Sequence, residues 1–258
     1  MNTREPPEPE QDTDREMPLI EHLTELRQRL INAIVALLVV FLSLVYFAND
    51  IYSFVAEPLR RFLPEGATMI ATEVASPFLA PFKLTLVVAA MVVMPYVLFQ
   101  AWAFVAPGMY RKEKRFALPL LASSIVLFYG GVAFAYYVVC PMVFGFFTSM
   151  SPAGVTVMTD INHYLSFVLT MFFAFGFAFE IPVATVLLVW AGITTPQALT
   201  SKRPYIVVGC FVIGMVLTPP DVFSQTMLAV PMWMLFETGV LASRWLLATK
   251  ARDEEAAG

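Results

Sequence analysis

The sequence predicts an all-α polytopic membrane protein with six transmembrane helices and both termini on one side. Three observations predict it. The 258 residues are 59% hydrophobic and only 14% charged, with a mean hydropathy of +0.72. A soluble domain of this length cannot hide that much apolar surface. Long apolar runs recur along the chain, and such runs must be helical because lipid offers no partner for unpaired backbone groups. Lys and Arg alternate between rich and poor flanks, which sets an orientation.

The elements follow in order. Residues 1–16 hold six acids and three prolines against Arg4 and Arg15, and read as a disordered acidic tail. They are not a secretory signal, which would begin with a basic region. Residues 17–245 form the membrane domain, with spans at roughly 28–48, 76–104, 116–140, 163–190, 205–218 and 222–243. The segment NDIYSFVAEPLRRFL places Ile51, Phe54, Val55, Leu59 and Phe62 near one helical face, so it reads as an amphipathic helix at the interface. Pro95 and Pro182 are expected to kink spans 2 and 4. Span 5, Ile206 to Leu217, reaches only about 18 Å at 1.5 Å per residue, short of a hydrocarbon core of roughly 30 Å. Span 6 is expected to be interrupted by Pro231 and carries Glu237. No two glycines lie four apart, so GxxxG packing is not expected. Residues 246–258 form a second tail.

Orientation comes from the flanks. Arg27 and Arg29 precede span 1. The loop between spans 2 and 3 carries Arg111, Lys112, Lys114 and Arg115, and the next rich flanks hold Lys202, Arg203, Arg244, Lys250 and Arg252. In the alternate loops, Arg60 and Arg61 face four acids, and residues 141–162 and 219–221 have neither Lys nor Arg. Both termini are therefore expected in the cytoplasm, N-in and C-in.

Few residues offer chemistry. There is no GxxxxGK[ST] loop for a nucleotide. His22 and His163, the only histidines, lie on opposite sides, which argues against a metal site or a Ser-His dyad. No enzyme, cofactor, metal or nucleic-acid partner is expected. Cys140 and Cys210 lack ligand spacing and read as two free thiols. Glu180, in FAFGFAFEIPVATVLL, sits at mid-span, where an acid costs on the order of 3 kcal/mol. It reads either as a buried acid bonded to a neighbouring helix or to carbonyls freed by Pro182, or as a polar site in a wet cavity. Lys83 and Glu237 allow the same two readings. Asp221 and Gln225 sit in LTPPDVFSQT, where residue types alone favour helix capping. Glu113 lies among four bases, yet no base sits one helical turn from it, so local pairing does not explain it. In IEHLTELRQRL, Glu21, Glu25 and Arg29 fall four apart on one face, so Glu25 reads either as a local partner of Arg29, worth only about a few tenths of a kcal/mol, or as an acid facing a ligand. Two acids at two cytoplasmic helix ends suit a cationic ligand, and carboxylates accept guanidinium forks bidentately.

Seven stretches together carry a resemblance: HLTELRQRL, FANDIY, ATEVASPF, WAFVAPGMYRKEKR, FAFGFAFEIPV, KRPYIVVG and LTPPDVFSQTMLAVPMWMLFE. They run in register from about 17 to 245, and the chain resembles the TatC family, the multi-spanning component of the twin-arginine protein translocase. The resemblance implies a concave, glove-like bundle with short spans 5 and 6, in the bacterial cytoplasmic (inner) membrane. It implies a receptor for Arg-Arg signal peptides that exports folded proteins with TatA- and TatB-type single-span partners, self-associates, and draws on the proton-motive force. It assigns signal recognition to Glu25, Arg27, Phe104 and Glu113, an intramembrane polar site to Glu180, and partner contact to Met215, Asp221 and Gln225. A proton-coupled secondary transporter working through Glu180 is the alternative class, although the inverted repeats usual in such folds are not seen.

Overall fold

The computed structural model describes residues 17–60, 70–105, 114–150, 160–218 and 221–257. Among these the chain is almost entirely helical: α1 Met17–Leu44, α2 Ala48–Arg60, α3 Ser76–Val105, α4 Lys114–Phe134, α5 Cys140–Ser149, α6 Ile161–Ala178, α7 Ile181–Trp190, α8 Pro196–Ser201, α9 Arg203–Leu217 and α10 Val222–Ala257. Five helical runs are long and apolar enough to cross a membrane, namely Leu23–Val55, Ser76–Phe104, Leu118–Phe147, Ile161–Trp190 and Val222–Ala248. The sixth, α9, has 15 residues. At about 22 Å it is short, as expected for span 5.

Several boundaries differ from the sequence reading, each for a local reason. Span 3 continues beyond 140, because a π-helical turn at Ala135–Val139 joins α4 to α5. A π turn widens the helix locally, so the Pro141 ring is tolerated where an α-helical register would clash. Span 4 breaks at Phe179 and Glu180, immediately before Pro182, as the proline predicts. Span 6 is neither interrupted nor short: α10 runs 36 residues through Pro231 and past residue 245 to Ala257. Packing against α7 and α9 holds it on both sides of the proline. α3 likewise runs through Pro81 and Pro95. The segment after span 1 is helical, joined to α1 by one 3-10 turn at Val45–Phe47. Ile51, Tyr52 and Val55 pack on the core while Phe54 is exposed, so Phe54 does not share the buried face. The tail 1–16 lies outside the described residues.

The helices pack into a bundle. α1 and α2 lie on α3; α3 meets α4 and α6; α4 packs on α6; α7 packs on α10, and α10 on α9. The main core lies where α3, α5, α6 and α10 meet, around Leu84, Val143, Val168, Phe175 and Leu228. A second, smaller core joins Ala178, Cys210, Ala229 and Met232. Close helix approach is achieved without a GxxxG pair. A Cβ on Gly131 would collide with the Phe175 carbonyl, and one on Gly239 would come within 2.8 Å of the Pro182 Cα. Single glycines therefore set the α4–α6 and α10–α7 crossings. Both cysteines are buried and unbridged.

Candidate functional site

At one end of the bundle, α1 and α3 are stitched by side chains spaced one turn apart. Glu25 Oε1 accepts both from Arg29 Nε, at 2.9 Å, and from a terminal guanidinium nitrogen of Arg29. The other terminal nitrogen donates to Gln100 Oε1 at 3.0 Å, and Gln100 donates to the Tyr96 hydroxyl at 2.6 Å. The helices run antiparallel, so Glu25, one turn before Arg29, and Phe104, one turn after Gln100, lie toward the same end. Phe104 is half-buried and Arg27 is exposed. Both Arg29–Glu25 bonds go to Oε1, and Oε2 takes none among the described residues. Residues 106–113 lie outside the described residues, and with them Glu113.

Deeper in the bundle, Glu180 sits at the break between α6 and α7 as the residue preceding the new helix, without capping it through its side chain. The Ser124 hydroxyl of α4 lies beside its carboxyl. Ser124 is buried and also receives the Trp102 indole N–H from α3 at 3.4 Å. The Glu180 Oε1 atom is buried with no hydrogen-bond partner among the described residues. Glu180 thus joins three spans through two polar side chains and keeps one acceptor unused. An orphan acceptor in an apolar setting costs on the order of 1–3 kcal/mol, which a donor from another molecule would recover.

Around span 5 the predicted partner positions divide. Met215 is exposed on α9, beside exposed Val212 and Val216. Gln225 Nε2 donates to the Phe211 carbonyl at 2.8 Å, fastening α10 to α9. Asp221 Oδ1 accepts from the Ser224 N–H at 2.7 Å, the capping role its residue type suggests, while Oδ2 is buried and unpartnered. At the other end of α9, Arg203 and Glu237 form an ion pair at 2.6 Å between α9 and α10. The sequence reading treated Glu237 alone and did not name this partner.

It also missed Asp160. This residue caps α6 through Oδ1, which accepts from Asn162 N and His163 N, while Oδ2 accepts from Thr72 N at 2.9 Å and Thr72 Oγ1 at 2.6 Å. These bonds, the Thr72 hydroxyl foremost, hold its carboxyl well below the usual carboxylate range. An Asp just before an apolar run was the available signal.

Residues 21–231 match the model of the Sec-independent protein translocase protein (TatC) family. The chain belongs to the TatC family. A TatC of Azotobacter chroococcum mcd 1 is 65% identical over 229 residues, 89% of this chain and 90% of that protein. The TatC of Escherichia coli K12 is 59% identical over 238 residues, 92% of each. A crystal structure described as the twin-arginine translocase receptor TatC superposes with a TM-score of 0.79 at 36% identity, covering 87% of this chain and 98% of that one.

Proposed function

We propose that this chain is the receptor component of a twin-arginine translocase in the bacterial cytoplasmic membrane. In this reading both termini are cytoplasmic. An Arg-Arg signal peptide docks at the end where Glu25, Arg27 and Phe104 lie, with Glu113 supplying a second carboxylate. TatA- and TatB-type single-span proteins dock near Met215, Asp221 and Gln225, copies of the chain self-associate, and folded proteins are exported at the expense of the proton-motive force. The role is transport, not catalysis. With the family established, nothing favours the small-molecule transporter.

The observation that carries the reading is the geometry of Glu25. Arg29 holds the carboxylate in place through Oε1, while Oε2 takes no bond among the described residues, toward the end of α3 that carries Phe104. A guanidinium from the signal meets an already oriented acceptor there, so less side-chain entropy is lost on binding. Phe104 offers an apolar or cation–π surface beside it. The test is peptide binding by the purified protein. An Arg-Arg peptide should bind more tightly than its Lys-Lys counterpart, because ammonium cannot form the fork. Glu25→Gln should cost roughly tenfold or more, the equivalent of about 1.5–3 kcal/mol for one charge-assisted bond. Equal binding of the two peptides would refute the site.

A further inference from the structure

The end of the bundle that carries Asp160 also holds a cavity of about 280 Å³ that none of these roles uses. Glu73, Leu79, Lys83, Asp160, Asn162 and Ser166 are among its lining. Asp160 keeps its negative charge, but each of its oxygens already accepts two donors, so it is committed to Thr72 and the first turn of α6 and not to a ligand. Lys83 differs. Its Nζ donates to Ser166 Oγ at 2.6 Å, and Ser166 Oγ is fixed in turn by the Asn162 carbonyl. That bond uses one of three ammonium protons. Lys83 and Glu73 are exposed, and neither makes an ion pair among the described residues. One positioned cation and one open carboxylate therefore face a shared space.

Depth narrows the occupant. α3 has 30 residues, so it spans about 45 Å, close to the thickness of a bilayer with its head groups. Lys83 is its eighth residue, about 10 Å from the helix start, and a lysine stem reaches back toward the interface. Glu73 precedes the helix. The two charges thus bracket the head-group layer, with the cation on the hydrocarbon side. A lipid phosphate lies deeper than the amine it carries, which is the same order. Phe78 and Leu79 are exposed on the same stretch of α3, where acyl chains would lie.

We propose that this cavity binds the head group of a zwitterionic aminophospholipid, with its phosphate on Lys83 and its ammonium on Glu73. The lipid clamps the start of α3 to the start of α6. Phosphoethanolamine in solution shares the head-group chemistry, but it lacks the chains that Phe78 and Leu79 would cover.

The test uses the full chain in nanodiscs made from equal parts phosphatidylethanolamine and phosphatidylcholine, with co-retained lipid read by native mass spectrometry. The wild type should keep phosphatidylethanolamine about fivefold over phosphatidylcholine, whose methylated nitrogen has no N–H to donate; that is the scale of one half-exposed charge pair. Glu73→Gln, at an exposed position outside the helix, should erase the preference. Lys83→Gln should lose retention of both lipids, and Lys83→Arg should restore it. Soluble phosphoethanolamine at millimolar concentration should not displace the lipid. Equal retention by the wild type, or an unchanged preference in Glu73→Gln, would overturn the site. Displacement by the soluble zwitterion would overturn the lipid as its occupant.

Discussion

One carboxylate, that of Asp160, ties a segment around Thr72 to the first turn of α6, across 88 positions of sequence. Its folded-state acidity is strengthened, so the sign of its linkage is fixed. The stabilisation is fully present above the unfolded value of about 3.9 and is lost as pH falls through that value toward the lower folded one. Thermal unfolding in detergent should therefore show the wild type losing stability on acidification below about pH 4. Asp160→Asn should be less stable at pH 7 and lose less between pH 5 and 3; parallel pH profiles for the two proteins would contradict this. The residue also shows what a sequence can reveal. Its capping half depends on neighbours two and three positions away and is readable. Its bonds to Thr72 depend on the fold and are not. Glu25 and Arg29, four apart on α1, were readable as a pair, whereas Gln100 as the next link was not.

Among the elements, those read correctly were the ones whose signal is local and strong. Unbroken apolar length located the spans, because a helix in lipid has no competing structure. The prolines divided. Pro182 breaks span 4 at Glu180 as read, whereas Pro141 sits behind a π turn and Pro231 lies inside an unbroken 36-residue helix. A proline removes one N–H in every case, but neighbouring helices decide whether the helix breaks. Short α9 depends on such neighbours, held by Gln225 near one end and by the Arg203–Glu237 pair at the other. Both members of that pair are partly exposed, so the bond is worth about 1 kcal/mol, between surface and buried limits. A double-mutant cycle of Arg203→Met and Glu237→Gln, followed by thermal unfolding, should return a coupling of that size. Additive effects would mean that the pair does not fasten α9 to α10.

On the scale of the whole molecule, the bundle leaves large apolar faces exposed. α1 alone exposes Leu30, Ile34, Leu38 and Leu42, a surface that fits lipid or neighbouring spans. Orientation within that lipid rests on the Lys and Arg flanks. Reporters fused after Ala257 and inserted within Arg111–Arg115 should be cytoplasmic, and one within Pro152–Thr159 external; an external C-terminus would break the even span count. The proposed function requires the peptide-binding end to communicate with the membrane interior, and Glu180 is the candidate for that route. Trp102, two residues from Phe104, donates to Ser124, which lies beside Glu180 at the break in the fourth span. Glu180→Gln retains an acceptor and a donor but removes the charge, and Glu25 and Glu113 are untouched. Arg-Arg peptide binding should therefore persist in it. Glu180→Leu suits lipid, so the protein should insert normally. It removes the orphan acceptor that an incoming polar group would satisfy, so export of a folded reporter should fall while peptide binding stays near the wild-type level. Both measurements on both variants separate the outcomes. Loss of binding in Glu180→Gln would place recognition deeper than the end of α1. Normal export in Glu180→Leu would make Glu180 a tolerated buried acid beside Ser124, without a part in transport.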